Sequence, residues 1–347
     1  MSGSDEEFDN YLDEQVNRQE SVTIRRVIRD FQNPFEYYSE VEFKQRYRFR
    51  KETVLNVLMP LISHNLEKLT KRGLPITPVY QLLIALRFYA SASFQIISGD
   101  LISVSQPTVS RIVKRVSYLI SLQIKRYIKF PENSEYTKLK FYQIAQFPGV
   151  RGCIDCTHVA IQNPGGNFAE VFRNRKKFFS INTQLVCGPE LEIYDIVADR
   201  PGSVHDNRIF QASTLKAKLE GGEIDGLLLG DSGYGCQTYL LTPVLRPESD
   251  AEQNYNKAHI KTRNTVERTI GVWKRIFPCL SKKLATNLTT TCHVVVATAI
   301  LYNICRLHNE IEENIEPPVI RRIGRRNANP SNRQGLVFRR IFIERHF

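Results

Sequence analysis

Three carboxylates in this chain stand where a carboxylate is costly unless something holds it. Asp155 lies inside Gly152-Cys-Ile-Asp-Cys-Thr-His-Val, a run that otherwise reads as a strand. A charge within an apolar strand needs a counter-charge or a metal ion. Asp231 ends Leu227-Leu-Leu-Gly-Asp, a short apolar run bounded by Gly226 before and by Gly230, Ser232 and Gly233 around it. Such a run reads as a strand buried on both faces. An acid at its C-terminal end points into the crevice where α/β sheets place their chemistry. Glu267 borders the apolar stripe Val266, Ile270, Trp273 and Phe277 of a helix, and Gly271, one turn on, leaves space above it. A 35-residue gap, 232–266, separates Asp231 from Glu267.

Brought together, three acids repel one another, and two hard divalent cations resolve the repulsion. The result is a two-metal site that clamps the attacking and leaving oxygens of a phosphodiester displacement. Ligation by oxygen alone selects Mg²⁺ or Mn²⁺ over Zn²⁺. The attacking group would be a metal-activated water or a DNA 3′-hydroxyl. A fourth acid, Asp206, follows His205 and is either a further metal ligand or the N-cap of the next helix. Asp195 and Asp199 read as surface or turn residues. The plain alternative gives each acid a local partner: Asp155 in a buried ion pair, Asp231 capping a turn, Glu267 paired with Arg263 or Lys274.

The elements that must position these acids form an α/β domain over 147–310. Strands are expected over Arg151–Gln162, Phe178–Cys187 and Leu191–Ala198, the last two joined by the turn Gly188-Pro189-Glu190. A helix over Asp206–Leu219, the Leu227–Asp231 strand and helices over Arg263–Phe277 and Thr290–His308 follow. Strands first, then alternation with helices, argue for an α/β class. The Cys153/Cys156 pair is not a metal knuckle, because residues three apart on a strand face opposite ways. For the same reason His158 faces away from Asp155 and reads as structural.

Upstream, residues 23–130 read as a helical region. Basic and aromatic residues interleave from Val22 to Lys51, and Thr53–Leu69 has helical spacing. Within 76–128, a helix begins at Thr77-Pro78 and a short one spans about Phe94–Ile102. A third follows Ser105 as N-cap with Pro107 in its first turn. Its apolar positions Val109, Ile112, Val113, Val116, Leu119 and Ile120 keep a 3.6 period. This describes a helix-turn-helix. Its outer face would offer Gln106, Thr108, Ser110 and Arg111 to base edges, and Lys114 and Arg115 to phosphates. A plain helical hairpin with solvated charges is the alternative. Arg173, Arg175, Lys176 and Lys177 lie between the first two strands, where they either track a phosphate backbone or solvate a hairpin edge.

The chain has 347 residues and a net charge of +12, which makes a polyanion partner such as DNA plausible. Residues 1–22 form an acidic arm that reads as disordered. Residues 312–347 read as a basic, disordered tail, with eight arginines between Arg321 and Arg345 and no apolar period. No continuous apolar run reaches the roughly 18 residues that would suggest a membrane span, so no membrane partner is expected. Seven cysteines in mostly apolar contexts fit reduced thiols of the cytosol or nucleus rather than a disulfide framework.

Five motifs in order carry a family resemblance: the Gly152–Val159 run; Arg173-Asn-Arg-Lys with Ser180-Ile-Asn; Pro201-Gly-Ser-Val-His-Asp; Leu229-Gly-Asp-Ser-Gly-Tyr; and Asn264-Thr-Val-Glu-Arg-Thr-Ile-Gly. Over about residues 40 to 310 the chain resembles the PIF/Harbinger transposases. Members often have Gly where Cys156 stands and Pro where Gly235 stands; neither departure touches the acids. The resemblance implies a ribonuclease-H-like fold with a DDE triad, which falls on Asp155, Asp231 and Glu267, and a recurrent family acid at Asp206. It implies a nucleus-directed DNA endonuclease of transposase descent, present in the cytoplasm as well. Such an enzyme either cuts and joins transposon ends or is a domesticated nuclease. A DNA-binding protein on a non-catalytic scaffold is the alternative. Harbinger-type systems also rely on a separate Myb-like DNA-binding partner. A homo-oligomer is compatible with this reading.

Overall fold

Five strands form one mixed sheet in the order β3-β2-β1-β4-β5. The computed structural model describes residues 33–67, 76–91, 104–311 and 332–347. The acidic arm over 1–22, the basic stretch up to residue 32, the short helix over 94–102 and the arginines between 321 and 326 lie outside the described residues.

Among the described residues, four helices precede the longer helical pair: α1 (Pro34–Tyr37), α2 (Glu40–Tyr47), α3 (Lys51–Thr53) and α4 (Met59–Leu66). The last two are joined by a π-helical turn over Val54–Leu58. Then come α5 (Pro78–Ser91) and α6 (Gln106–Ser121). Helix α6 starts where Ser105 and Pro107 predict, and it buries Val109, Ile112, Val113, Val116, Leu119 and Ile120. Helices α7 (Ile124–Tyr127) and α8 (Ser134–Ala145) lead to the sheet.

Strands β1 (Val150–Ala160), β2 (Ser180–Cys187) and β3 (Ile193–Pro201) run antiparallel in sequence, β2 and β3 as the hairpin that the Gly188-Pro189-Glu190 turn predicts. Strand β4 (Leu227–Leu229) pairs parallel to β1, and β5 (Leu240–Leu241) parallel to β4. Three antiparallel strands continued by parallel ones, with helices on both faces, make a ribonuclease-H-like α/β domain.

The expected helix over Asp206–Leu219 is two: α9 (Asp206–Gln211) and α10 (Thr214–Glu220). Ser213 breaks them, its hydroxyl accepting from the Lys216 N–H as a fresh N-cap. Helix α11 (Asp250–Ile276) starts 13 residues before the expected Arg263. The missed signal is the capping box Ser249-Asp-Ala-Glu252, in which Ser249 and Glu252 satisfy each other's backbone N–H groups. Helix α12 (Leu288–Leu307) is long and apolar enough to cross a membrane by composition. However, 67% of its most apolar window is buried inside this fold, so it is a core helix.

The reading of 312–347 as a structureless tail needs correction at its end. Residues Arg333–His346 form a helix, α13, beside β5 and α11. Phe342 stacks on Phe147 at 5.5 Å, and the Phe347 ring packs tilted against it at 5.4 Å. The Arg339 guanidinium donates to the Thr242 and Pro243 carbonyls at 3.1 Å. Gly335 seats the helix, since a Cβ there would lie 2.4 Å from the Cys236 carbonyl oxygen. The arginines mask an apolar set whose partners, Phe147 and Tyr255, are remote in sequence.

Asp195, expected at the surface, is half-buried on the face that α10 covers, and its Oδ2 has no hydrogen-bond partner. Burial lifts its carboxyl to about 6, against a small opposing pull from Lys218. The sign follows. The folded state binds this proton more tightly than the unfolded chain, so stability is full below about pH 4 and falls as pH rises through 6. Asp195→Asn should therefore stabilise the protein by on the order of 1–2 kcal/mol at pH 8 and leave it unchanged at pH 4. Urea denaturation at the two pH values checks this.

Candidate active site

The site grows from the register of β1 against β4. Cys153 lies opposite Leu229 in the parallel pair, so Asp155 and Asp231, each two residues further on, emerge at the same level of the sheet. Gly230 makes the exit possible: a Cβ there would stand 2.9 Å from the Tyr234 ring. Beyond it the chain turns, and Asp231 Oδ1 accepts the Gly233 N–H at 2.8 Å.

Alternation along β1 sends neighbouring side chains to opposite faces. Ile154 and Cys156 join the cluster of Phe210, Leu215, Leu219 and Tyr234 under α9 and α10. Cys153 and Asp155 face α11. The Cys153 thiol reaches the Thr262 carbonyl, and Asp155 Oδ2 accepts from Arg263 Nη1 at 3.2 Å. Helix α11 sets this face by burying Thr262, Val266, Thr269 and Trp273. Arg263 and Glu267 are one helical turn apart on α11, and Arg263 Nη2 donates to Glu267 Oε1. Through that one guanidinium, Asp155 and Glu267 belong to one cluster. The side chains of Asp155, Arg263 and Glu267 are 17%, 11% and 27% exposed, enough burial for charges to act strongly on one another.

Electrostatics ties in the other acids. Burial pushes the Asp155 carboxyl up; Arg263 opposes this, and the charges of Asp231 and Asp206 add to it. Burial works against the charge of Arg263, yet Asp155, Glu267 and Asp231 together hold it above its usual range.

Asp206 is the first residue of α9, and the N-cap position belongs to His205, whose side chain does not cap. Asp206 Oδ1 instead accepts from Asn182 Nδ2 at 3.0 Å, and the same amide donates to the Val204 carbonyl at 2.8 Å. Asp206 stands on the Cys156 side of β1, where its charge helps lift the thiol already raised by burial. The Cys156 thiol and the buried Tyr234 hydroxyl lie 3.3 Å apart. All seven cysteines are free.

Lys274, one of two expected partners of Glu267, donates to the His158 carbonyl at 2.8 Å instead, and burial lowers it to about 8. The Glu267 partner is Arg263. His158 is structural, its Nδ1 within 3.0 Å of the Ser180 hydroxyl and its ring against Phe178.

Of the expected DNA contacts, Gln106, Ser110, Arg111, Lys114 and Arg115 are exposed along α6, and Thr108 is half-buried. Arg115 is tied to the Asn65 carbonyl at 2.7 Å. Arg173 is engaged locally: Glu170 takes its Nε and Nη2 at 2.8 and 2.9 Å, and the guanidinium lies 4.2 Å over the Phe179 ring. Arg175 and Lys176 are exposed, and Arg175 reaches His205, next to Asp206. Asn182 is not singled out by the sequence, and Arg263 is expected from it only as a local partner of Glu267, not as a bridge to Asp155. The signal for Arg263 is its place four before Glu267, on the same helix face.

The donor set fits a hard divalent cation in kind, since all four acids offer only oxygen. Yet among the described residues no three ligand-type side chains converge closely enough to hold an ion. Between Asp155 and Glu267 stands the Arg263 guanidinium.

The sheet is ribonuclease-H-like, with one acid midway along β1, one just past the end of β4 and one on a following helix, and residues 154–303 match the family model of the DDE superfamily endonucleases. More narrowly, the chain belongs to the Harbinger-type DDE transposase family. It is 36% identical to the Harbinger transposase-derived nuclease HARBI1 of Homo sapiens over 258 residues, covering 72% of this chain and 74% of that protein. The Xenopus laevis counterpart is 33% identical over 262 residues, 74% and 75% of the two chains. An ALP1-like protein of Arabidopsis thaliana is 26% identical over 218 residues, 58% of this chain and 54% of that protein. No solved structure matches the chain.

The buried Asn182 amide fixes the start of α9. Asn182→Ala should leave Asp206 Oδ1 and the Val204 carbonyl without this donor and cost about 1–3 kcal/mol. Denaturant unfolding at neutral pH measures it; a loss under 0.5 kcal/mol would remove Asn182 from the positioning of Asp206.

Proposed function

We propose that this protein is a divalent-metal-dependent DNA endonuclease in which Asp155, Asp231 and Glu267 are the catalytic acids. The observation that carries the reading is the level pairing of Asp155 and Asp231 just beyond the C-terminal end of β4, with Glu267 reaching the same cluster from α11. Asp155, Asp231 and Glu267, with Asp206 as a further ligand, would hold Mg²⁺ or Mn²⁺, as two ions. Bound there, such ions supply an activated attacking oxygen and neutralise the leaving one. The chain's own part is to fix the acids. Asp231 is locked by the Gly233 N–H, Asp155 by its strand, Glu267 by the buried face of α11, and Asp206 by Asn182.

DNA would lie along the exposed face of α6, with Gln106, Thr108, Ser110 and Arg111 toward bases and Lys114 and Arg115 toward phosphates. Arg175 and Lys176, beside Asp206, would take the backbone near the scissile bond, and Arg173 serves as the brace of their loop. The net charge of +12 supports this partner. A nuclear location, with a cytoplasmic pool, and a Myb-like DNA-binding partner follow from the resemblance; localisation imaging and co-purification test them.

A second reading, a DNA-binding scaffold without cleavage, is favoured by one observation: Arg263 satisfies Asp155 and Glu267 without any metal. Nicking of supercoiled DNA in Mg²⁺ or Mn²⁺ separates the two. Asp155→Asn, Asp231→Asn and Glu267→Gln should each lower the rate at least ~100-fold. Equal rates in wild type and Asp231→Asn would sink the catalytic assignment. No cutting by any of them leaves the scaffold.

A further inference from the structure

The acids of the site are already partnered, and the partner is a side chain of the same chain. Asp155 uses Oδ1 for the Cys156 N–H at 2.8 Å and Oδ2 for Arg263 Nη1 at 3.2 Å. Glu267 gives Oε1 to Arg263 Nη2. The two nitrogens of one planar fork thus join acids from a strand and a helix, the geometry that makes a guanidinium a better bridge than an ammonium. Asp231 is close enough that its charge, too, raises the affinity of Arg263 for its proton. Lys274, about three turns beyond Arg263 along α11, turns to the His158 carbonyl and takes no part. The bridge also accounts for the absence, among the described residues, of any three ligand-type side chains set to hold an ion. An ion drawing oxygens from Asp155 and Glu267 would find Asp155 Oδ2 and Glu267 Oε1 already taken by a cation.

We infer that Arg263 is the built-in counter-ion of the metal-free site, bridging Asp155 and Glu267 until divalent cations displace its guanidinium. The inference rests on the metal-dependent reading given above. Without metal, the bridge holds mutually repelling acids at the end of the sheet. With metal, the same guanidinium is a competitor, because it and the ion seek the same carboxylate oxygens. Arg263 is therefore a positioning residue that sets how much cation the site needs before it fills. Removing it must act in opposite directions on the two states: the metal-free protein loses a partner for two half-buried acids, and the ion gains an uncontested site. A purely structural arginine would weaken both.

The experiment uses the full chain without DNA. Mn²⁺ binding is followed by electron paramagnetic resonance of the free ion, and melting is recorded in EDTA and in Mn²⁺. Arg263→Gln should bind Mn²⁺ about tenfold more tightly than wild type, the change expected when a cation paired with two of the acids is lost. It should also melt lower in EDTA and gain more on adding Mn²⁺. Arg263→Lys, which keeps the charge but not the fork, should fall between wild type and Arg263→Gln in Mn²⁺ affinity. Equal or weaker Mn²⁺ binding by Arg263→Gln overturns the counter-ion role while leaving the metal reading intact. Mn²⁺ binding by neither protein overturns the metal reading, and this inference with it. If Arg263→Gln does not fold in EDTA, recovery of its fold on adding Mn²⁺ supports the role, and failure in both states overturns it.

Discussion

The end of this sheet depends on a cation standing between carboxylates. Asp155 lies in β1, Asp231 just past β4, and Asp206 and Glu267 on two helices; Asp155 feels the charges of Asp231 and Asp206, and Glu267 meets Asp155 through the shared Arg263 guanidinium. At an effective dielectric constant near 20, two unit charges 4 Å apart interact by roughly 4 kcal/mol. Uncompensated, the repulsion would rival a large fraction of a domain's net stability, which is typically about 5–15 kcal/mol. Arg263 supplies the compensation from inside the fold. This is why α11 must be long, and capped far upstream at Ser249: its position fixes both Arg263 and Glu267.

The same constraint explains how the two faces of β1 divide their work. The α11 face carries charge at Asp155 and close packing at Cys153, Val266 and Trp273. The opposite face is apolar under α9 and α10, but near the acids it holds Cys156, Tyr234 and Asp206. Burial keeps that thiol and phenol neutral, so the side carrying Asp206 adds only one charge to the cluster. Small residues let the elements approach: a Cβ at Gly152 would lie 2.6 Å from Val186, and one at Gly230 would strike Tyr234.

Charge on the outside is sorted as well. Net basicity does not mean that every arginine is available to a polyanion. Arg173 braces its own loop through Glu170 and Phe179, and Arg115 anchors α6 to the Asn65 carbonyl. Arg111 and Lys114 remain exposed on α6, and Arg175 and Lys176 in the loop before β2. A guanidinium already engaged in a bidentate pair has less to offer a phosphate than a solvated one.

From the sequence alone, much of the scaffold was legible, because periodicity and caps are local. The apolar face of α6, its start at Ser105, the β2–β3 hairpin and the buried Leu227–Leu229 strand all follow from spacing and turn residues. The family too was legible, since its motifs are contiguous strings. The three acids stood out because a lone charge in an apolar context is conspicuous. What needed the tertiary structure was every pairing across distance: Arg263 with Asp155, Asn182 with Asp206, Lys274 with the His158 carbonyl, and α13 on Phe147. Partner choice depends on which side chains the fold brings within a few ångströms, and residues 108 positions apart, as Asp155 and Arg263 are, carry no local trace of that. Spacing could mark acids that need a cation; only the packing of α11 against β1 decided that, in this structure, the cation is an arginine.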